Sequence, residues 1–151
     1  MKDSQMKLAI DLAIKAKELN EVPVGCVITD QNENIISKAF NSVERNKDPT
    51  AHAEILAIRK ACLKMKTTKL FNFSLYVTLE PCVMCEAAIL NSGIKKVYFG
   101  AFSDSLKINN FKLKDYFSLK KRKDFMGGFH EECCSNLIKE FFKVKRQLRV
   151  F

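Results

Sequence analysis

"SLYVTLEPCVMCEAAILNSGIKKVYFGA", residues 74–101, is the stretch on which the fold turns. Its first seven residues are rich in β-branched and aromatic side chains and read as a strand. Pro81 then opens a helix that closes near Gly93, since proline suits the first helical turn and glycine the end. "KKVYFGA", residues 95–101, reads as the next strand. A strand, a helix and a strand in one unbroken run point to an α/β protein.

The flanks extend the pattern. Residues 4–19 read as an amphipathic helix, with Ser4 as N-cap and Met6, Ile10, Ala13, Ile14 and Ala16 on one face. "VPVGCVITD" (22–30) reads as a buried strand, "QNEN" as a turn and "IISKAFNSV" (35–43) as the antiparallel partner. "ERNKDP" (44–49) is a loop. Residues 50–65 form a helix with Ile55, Ile58, Cys62 and Met65 along one face. Residues 102–126 are less regular, with a short helix around 113–121. From His130 a last helix presents Leu137, Ile138, Phe141, Phe142 and Leu148. The expected architecture is a sandwich: one mixed sheet, because of the hairpin, with helices on both faces.

A chain of 151 residues fits one domain, residues 1–151, and can bury a sizeable core. With 47% hydrophobic and 28% charged residues it has the composition of an ordinary globular protein. No run is apolar enough to span a membrane. The N-terminal "MKDSQMKLAIDLAIKAKEL" carries charges throughout, so it is no secretory signal and a cytoplasmic protein is expected. The six cysteines are then expected as thiols, with Cys26 and Cys62 as small core residues. The adjacent Cys133 and Cys134 could bind metal or be redox-active, or place one residue in the core.

Charge is unevenly spread. Residues 1–94 carry 12 Lys/Arg against 11 Asp/Glu, whereas residues 95–151 carry 14 against 6. Nearly the whole net charge of +9 therefore lies in the last third. Such asymmetry points to an anionic partner, against the alternative of a merely solvated basic face.

Cys82 and Cys85 lie three apart in the first turn of a helix, so their sulfurs share a face. The free N–H groups and partial positive charge there favour thiolates. A C-x-x-C alone could be redox-active, but redox pairs usually follow a strand near the start of a thioredoxin-like fold. The chain has two histidines, and one of them, His52 in "PTAHAEI" (49–55), precedes Glu54 by two residues. A lone His-x-Glu is common by chance and most often structural. Beside two thiolates, however, an imidazole completes three ligands of a tetrahedral zinc site. Cys133 or Cys134 could close that site. Glu54 suits an open one better, in which zinc activates water and a carboxylate moves its protons. Residues two apart on an ideal helix diverge, so His52 and Glu54 must converge from its very first turn.

His-x-Glu followed by Pro-Cys-x-x-Cys is the signature of the zinc nucleobase and nucleoside deaminases. Within that superfamily the chain closely resembles the bacterial tRNA-specific adenosine deaminases. The resemblance lies in "EVPVGCVI", "FNSVERNKDPTAHAEI", "LYVTLEPCVMCEAAI", "KKVYFGA" and the closing "LIKEFFKVKRQ". It implies a cytidine-deaminase-like three-layer α/β/α sandwich with a mixed, mostly five-stranded sheet. It implies one zinc held by His52, Cys82 and Cys85, with Glu54 as the proton shuttle. Asn41 would hydrogen-bond the base, and Pro23, Val24 and Ala53 would line its pocket. The implied reaction is hydrolysis at adenine C6 of a wobble adenosine, releasing ammonia and leaving inosine. The implied partners are a tRNA anticodon stem-loop, whose bases are partly unstacked, and a second copy of the chain in a homodimer.

Lys143, Lys145 and Arg146 match the family's basic RNA-contacting end, and Phe142 or Phe141 could stack on a base. At helical spacing beside Leu137 and Ile138, at least one of these phenylalanines belongs to the core. The chain departs from the family after "FGA". Where relatives carry an acidic, Gly-containing loop it has "FSDSLKINNFKLKD", with Ser103 or Asp104 in the acidic place. "KDFMGGFHEE" is also unlike the family's approach to its last helix. Guanine deaminases are the nearest rival: they share the fold, the zinc ligands and often "DPTAHAE". The basic C-terminal third, "TLEPCVMC" and "EFFKVKRQ" stand against them, as they do against other small-molecule nucleobase deaminases. A non-catalytic zinc module is expected to lack the glutamate, and Glu54 is present.

Overall fold

A computed structural model describes residues 2–106 and 124–148. Five helices and five strands lie along them. They are α1 (Lys2–Glu18), β1 (Gly25–Thr29), β2 (Ile35–Phe40), α2 (Val43–Asn46), α3 (Ala53–Met65), β3 (Ser74–Leu79), α4 (Val83–Asn91), β4 (Lys96–Ala101), β5 (Phe125–Met126) and α5 (Glu131–Leu148). The sheet runs in the order β2-β1-β3-β4-β5. β1 pairs antiparallel with both β2 and β3, while β3–β4 and β4–β5 are parallel. The mixed five-stranded sheet and its hairpin are as the sequence predicts.

Strand alternation divides the core in two, because successive side chains leave opposite faces of a sheet. Cys26, Ile28, Leu75, Val77, Val97 and Phe99 pack towards α3 and α4. Val27, Tyr76 and Tyr98 pack towards α1 and α5, against Met6, Ala9, Ile10 and Cys134. Gly25 lets α1 approach β1: a Cβ there would stand 2.0 Å from the carbonyl oxygen of Ala9. Gly100 does the same for α5, where a Cβ would meet the Cys134 sulfur at 2.4 Å. Cys134 is thus the core member of its pair, and Cys133 is exposed.

Several local expectations are corrected. α3 faces the sheet through Ala53, Ala57 and Ala61, four residues apart and fully buried. Ile55, Ile58 and Cys62 flank that line half-buried, and Met65 is exposed. Small residues win the central line because they let helix and sheet approach closely. Ile14 and Leu148 are exposed despite their apolar character. α4 starts at Val83, so Pro81 precedes the N-cap Cys82. The loop read at 44–49 contains the single turn α2. β5, two residues long, arises in a stretch read as irregular. The short helix expected around 113–121 lies outside the described residues.

Candidate metal centre and active site

Two helix starts meet at the C-terminal ends of β3 and the hairpin. His52 is the N-cap of α3 with extended backbone, φ −70° and ψ 153°. Cys82 is the N-cap of α4, also extended, φ −69° and ψ 171°. Neither side chain caps its own helix. Both are turned off the helix end, which is how His52 can face the same space as residues two positions on. Cys85 is the third helical residue of α4 and is fully buried.

These three side chains converge. The His52 Nδ1 lies 3.6 Å from the Cys82 sulfur and 3.4 Å from the Cys85 sulfur. All three ligand atoms lie within 4.8 Å of one another. Tetrahedral zinc, with bonds of about 2.3 Å to sulfur and about 2.0 Å to nitrogen, requires N and S about 3.5 Å apart. The set therefore fits zinc by distance as well as by donor type. Among the described residues no further His, Cys, Asp or Glu joins the group, so neither Cys133 nor Cys134 closes it.

The electrostatics agree. The Cys82 thiol is lowered to about 4, first by its hydrogen bond with Cys85 and then by His52. Cys85 is pushed in the opposite direction by the same hydrogen bond and by burial. His52 is raised, chiefly by its bond to Cys82. Sulfurs and an imidazole competing for protons in this way are the ligands from which a divalent cation displaces protons. Glu54, 4% exposed, occupies the second position of α3 beside them. Burial raises its carboxyl above the usual range and Cys82 adds to this, while His52 and Cys85 oppose it.

The loop before His52 is fixed by local hydrogen bonds. Asp48 Oδ1 accepts from both the N–H and the hydroxyl of Thr50, at 2.8 and 2.7 Å. The Ser42 N–H donates to the carbonyl of Ala51 at 3.0 Å, tying this loop to the end of β2. Asn41 continues the β1–β2 ladder by donating its N–H to the Val24 carbonyl at 3.0 Å.

A cavity of about 420 Å³ opens beside the group. Asn41 and His52 line it, as do Phe141, Phe142, Lys145 and Arg146 of α5. Spacings of one, four and five residues keep those four side chains on one side of a helix. Lys143 falls off that side and does not line the cavity. Phe141 is buried and Phe142 half-buried, their rings edge to face at 5.3 Å. Pro23, Val24 and Ala53 are buried and are not among the lining residues; Val22 is. Sequence reasoning missed Glu21, a buried carboxylate that lines the same cavity. Its place just before the "VPVG" strand gives no periodic signal. Ser103 is bound to the motif: its N–H and hydroxyl both donate to Glu80 Oε1, at 3.1 and 2.7 Å.

Residues 1–101 match the family described as the cytidine and deoxycytidylate deaminase zinc-binding region. The tRNA-specific adenosine deaminase of Aquifex aeolicus is 46% identical over 91% of this chain and 99% of its own. The chain belongs to the tRNA-specific adenosine deaminases of that zinc-binding family. A solved tRNA:A34 deaminase, studied for A-to-I editing at the wobble position of transfer RNA, is 33% identical with a TM-score of 0.78. The match covers 89% of this chain and 98% of that one. The guanine deaminase of Bacillus subtilis is also 33% identical, with a TM-score of 0.66, over 78% of this chain and 75% of its own. Zinc is the metal that the family and the donor set both select. Membership and sheet type are thus as the sequence motifs imply.

Proposed function

We propose that residues 1–151 form one zinc-dependent hydrolase that converts adenosine to inosine at the wobble position of a tRNA anticodon. The observation that carries the reading is the joining of two features in one cavity. His52 and Asn41 share its lining with two phenylalanines and two cations of α5. A free base needs no cationic rim, whereas a looped-out nucleotide brings its phosphates with it.

In this reading His52, Cys82 and Cys85 hold the metal. When bound, zinc supplies the Lewis acidity that makes water a nucleophile near neutral pH. Glu54 takes a proton from the attacking water and delivers it to the departing amino nitrogen. Water's oxygen adds to adenine C6, its second proton ends on ring N1, and the exocyclic C6–N bond then breaks, so adenosine and water give inosine and ammonia. The Asn41 amide hydrogen-bonds the base edge. Phe142 stacks on a base, and Lys145, Arg146 and the more distant Lys143 meet phosphates. Pro23, Val24 and Ala53 back the pocket from behind its surface. Six free cysteines fit a reducing, cytoplasmic compartment. No helix among the described residues is long and apolar enough to cross a membrane.

Deamination of an anticodon stem-loop with a wobble adenosine should far exceed that of guanine or free adenosine. Stem-loop affinity should fall steeply with salt. Replacing Lys143, Lys145 and Arg146 by Ala should flatten the log–log slope by up to about two to three units. Guanine as best substrate, with turnover indifferent to salt and to the triple variant, would transfer the reading to a small-molecule deaminase.

We also propose that the chain acts as a homodimer packed through α4. Apart from Glu86 and Asn91, every residue of α4 is apolar. Val83, Met84, Ala87, Ala88 and Leu90 nevertheless stay only half-buried. A helix apolar on nearly every side is one that is covered on every side. Light scattering should return twice the 17.3 kDa chain mass, and Met84→Glu should return the single mass. A wild-type monomer at micromolar concentration would rule the dimer out.

A further inference from the structure

We propose that Glu21 is a positioning residue: its carboxylate fixes the corner that carries Asn41 and thereby aligns the base for deamination. The proposal rests on the deaminase reading above. Glu21 is 1% exposed and the mechanism gives it no chemistry. Its Oε1 accepts the Glu44 N–H at 2.7 Å, and its Oε2 faces the Arg45 N–H at 3.3 Å. Those are the second and third residues of α2. They carry the two N–H groups that an N-cap side chain ordinarily serves.

The N-cap residue itself does not serve them. Ser42 makes no side-chain cap, and its hydroxyl donates instead to the Phe40 carbonyl at 3.1 Å. Glu21 therefore caps α2 from more than twenty residues away in the chain. A helix of four residues has no stability of its own, so what holds its first turn holds the corner. The corner is short. Asn41 precedes the N-cap directly, and the Ser42 N–H reaches on to Ala51, next to His52. One buried carboxylate thus braces the segment between the base-binding amide and the loop of the metal-binding imidazole. Two donors facing one group also explain the residue type. Glutamate offers two acceptor oxygens, whereas glutamine offers one acceptor and turns an NH₂ towards the other donor. Asn20, Glu21 and Val22 line the same cavity as Asn41, so movement there is felt where the substrate sits.

A misplacement of about 1 Å of a group that orients a reacting centre lowers rate by up to about a hundredfold. Phosphate contacts elsewhere keep most of the affinity. Glu21→Gln should thus lower kcat on the anticodon stem-loop at least about tenfold, with KM changed less than about threefold. Zinc content should be unchanged. Hydrogen exchange should show the Glu44 and Arg45 amides losing protection, a readout independent of any activity. A double-mutant cycle identifies the route. In an Asn41→Ala background Glu21→Gln should change kcat less than about twofold, because the two act as a unit. Multiplying effects, lost zinc or unchanged exchange at Glu44 and Arg45 would each overturn the proposal. Failure of the wild-type chain to deaminate the stem-loop would instead overturn the functional reading, and the exchange result would still decide whether Glu21 caps α2.

Discussion

Glu54→Ala is expected to lower deamination of the anticodon stem-loop by about 10²–10⁴-fold while leaving zinc content and RNA affinity near wild type. The range is that of a positioned acid–base group. The loss should fall on kcat, because Glu54 is buried and outside the cavity lining, to which α5 contributes the cations. Its position explains why metal should survive. Glu54 sits one residue inside α3, whereas His52 occupies the extended N-cap. The three ligand atoms come together without it. The Glu54 carboxylate accepts hydrogen bonds from its own backbone N–H and from Cys85; losing them costs on the order of 1 kcal/mol each, so the variant should still fold. Glu54→Gln, of equal volume, should behave alike if proton transfer is the role. Metal analysis, stem-loop binding and single-turnover rates on one preparation check all three expectations. Lost zinc would make Glu54 a ligand, and near-normal turnover would remove it from the chemistry.

The parts of this arrangement that were legible in the sequence are those with strong local signals. β3, α4 and β4 follow from a β-branched run, a proline–glycine bracket and a second apolar run in direct succession. The β1–β2 hairpin follows from its polar turn. The metal group was legible because C-x-x-C spacing fixes two ligands on one helix end. The third came from a motif known to accompany it, not from any periodicity. Long-range facts left no such mark. That β1 lies antiparallel to β3 depends on the whole sheet. β5 has two residues and is placed by its neighbour β4, through Val97–Phe125 and Tyr98–Met126. Glu21 stood in the matching run "EVPVGCVI" with no role attached, because its partners are backbone groups far along the chain. The basic end was legible as charge but not as geometry: helix phase admits Lys145 and Arg146 to the cavity and turns Lys143 away.

Cys82→Ala should do what Glu54→Ala does not, and empty the site. It removes one of three protein ligands, leaving a thiol and an imidazole that hold zinc far more weakly. Zinc should fall from about one per chain to a small fraction, and turnover to background. The fold should suffer too, because metal binding to the native state is folding free energy. A metal held at 100 to 1,000 times its dissociation constant stabilises by about 3–4 kcal/mol. For a chain of this size each kcal/mol is about 2–4 °C, so Tm should fall by about 10 °C. Cys133→Ala is the matched control. Cys133 is exposed and outside the metal group, so zinc, turnover and Tm should all stay at wild type. The pair separates an open three-ligand site from one closed by a fourth thiolate. Zinc lost from Cys133→Ala would mean that the C-terminal cysteines reach the metal in solution. Zinc retained by Cys82→Ala, with unchanged Tm, would mean that the start of α4 does not hold it. Because the Cys82 side chain makes no cap on α4, alanine removes none there, and the loss belongs to the metal. Cys82→Ser tests this: serine is close in size and suits an N-cap but offers no thiolate, so its Tm should stay low and its zinc absent.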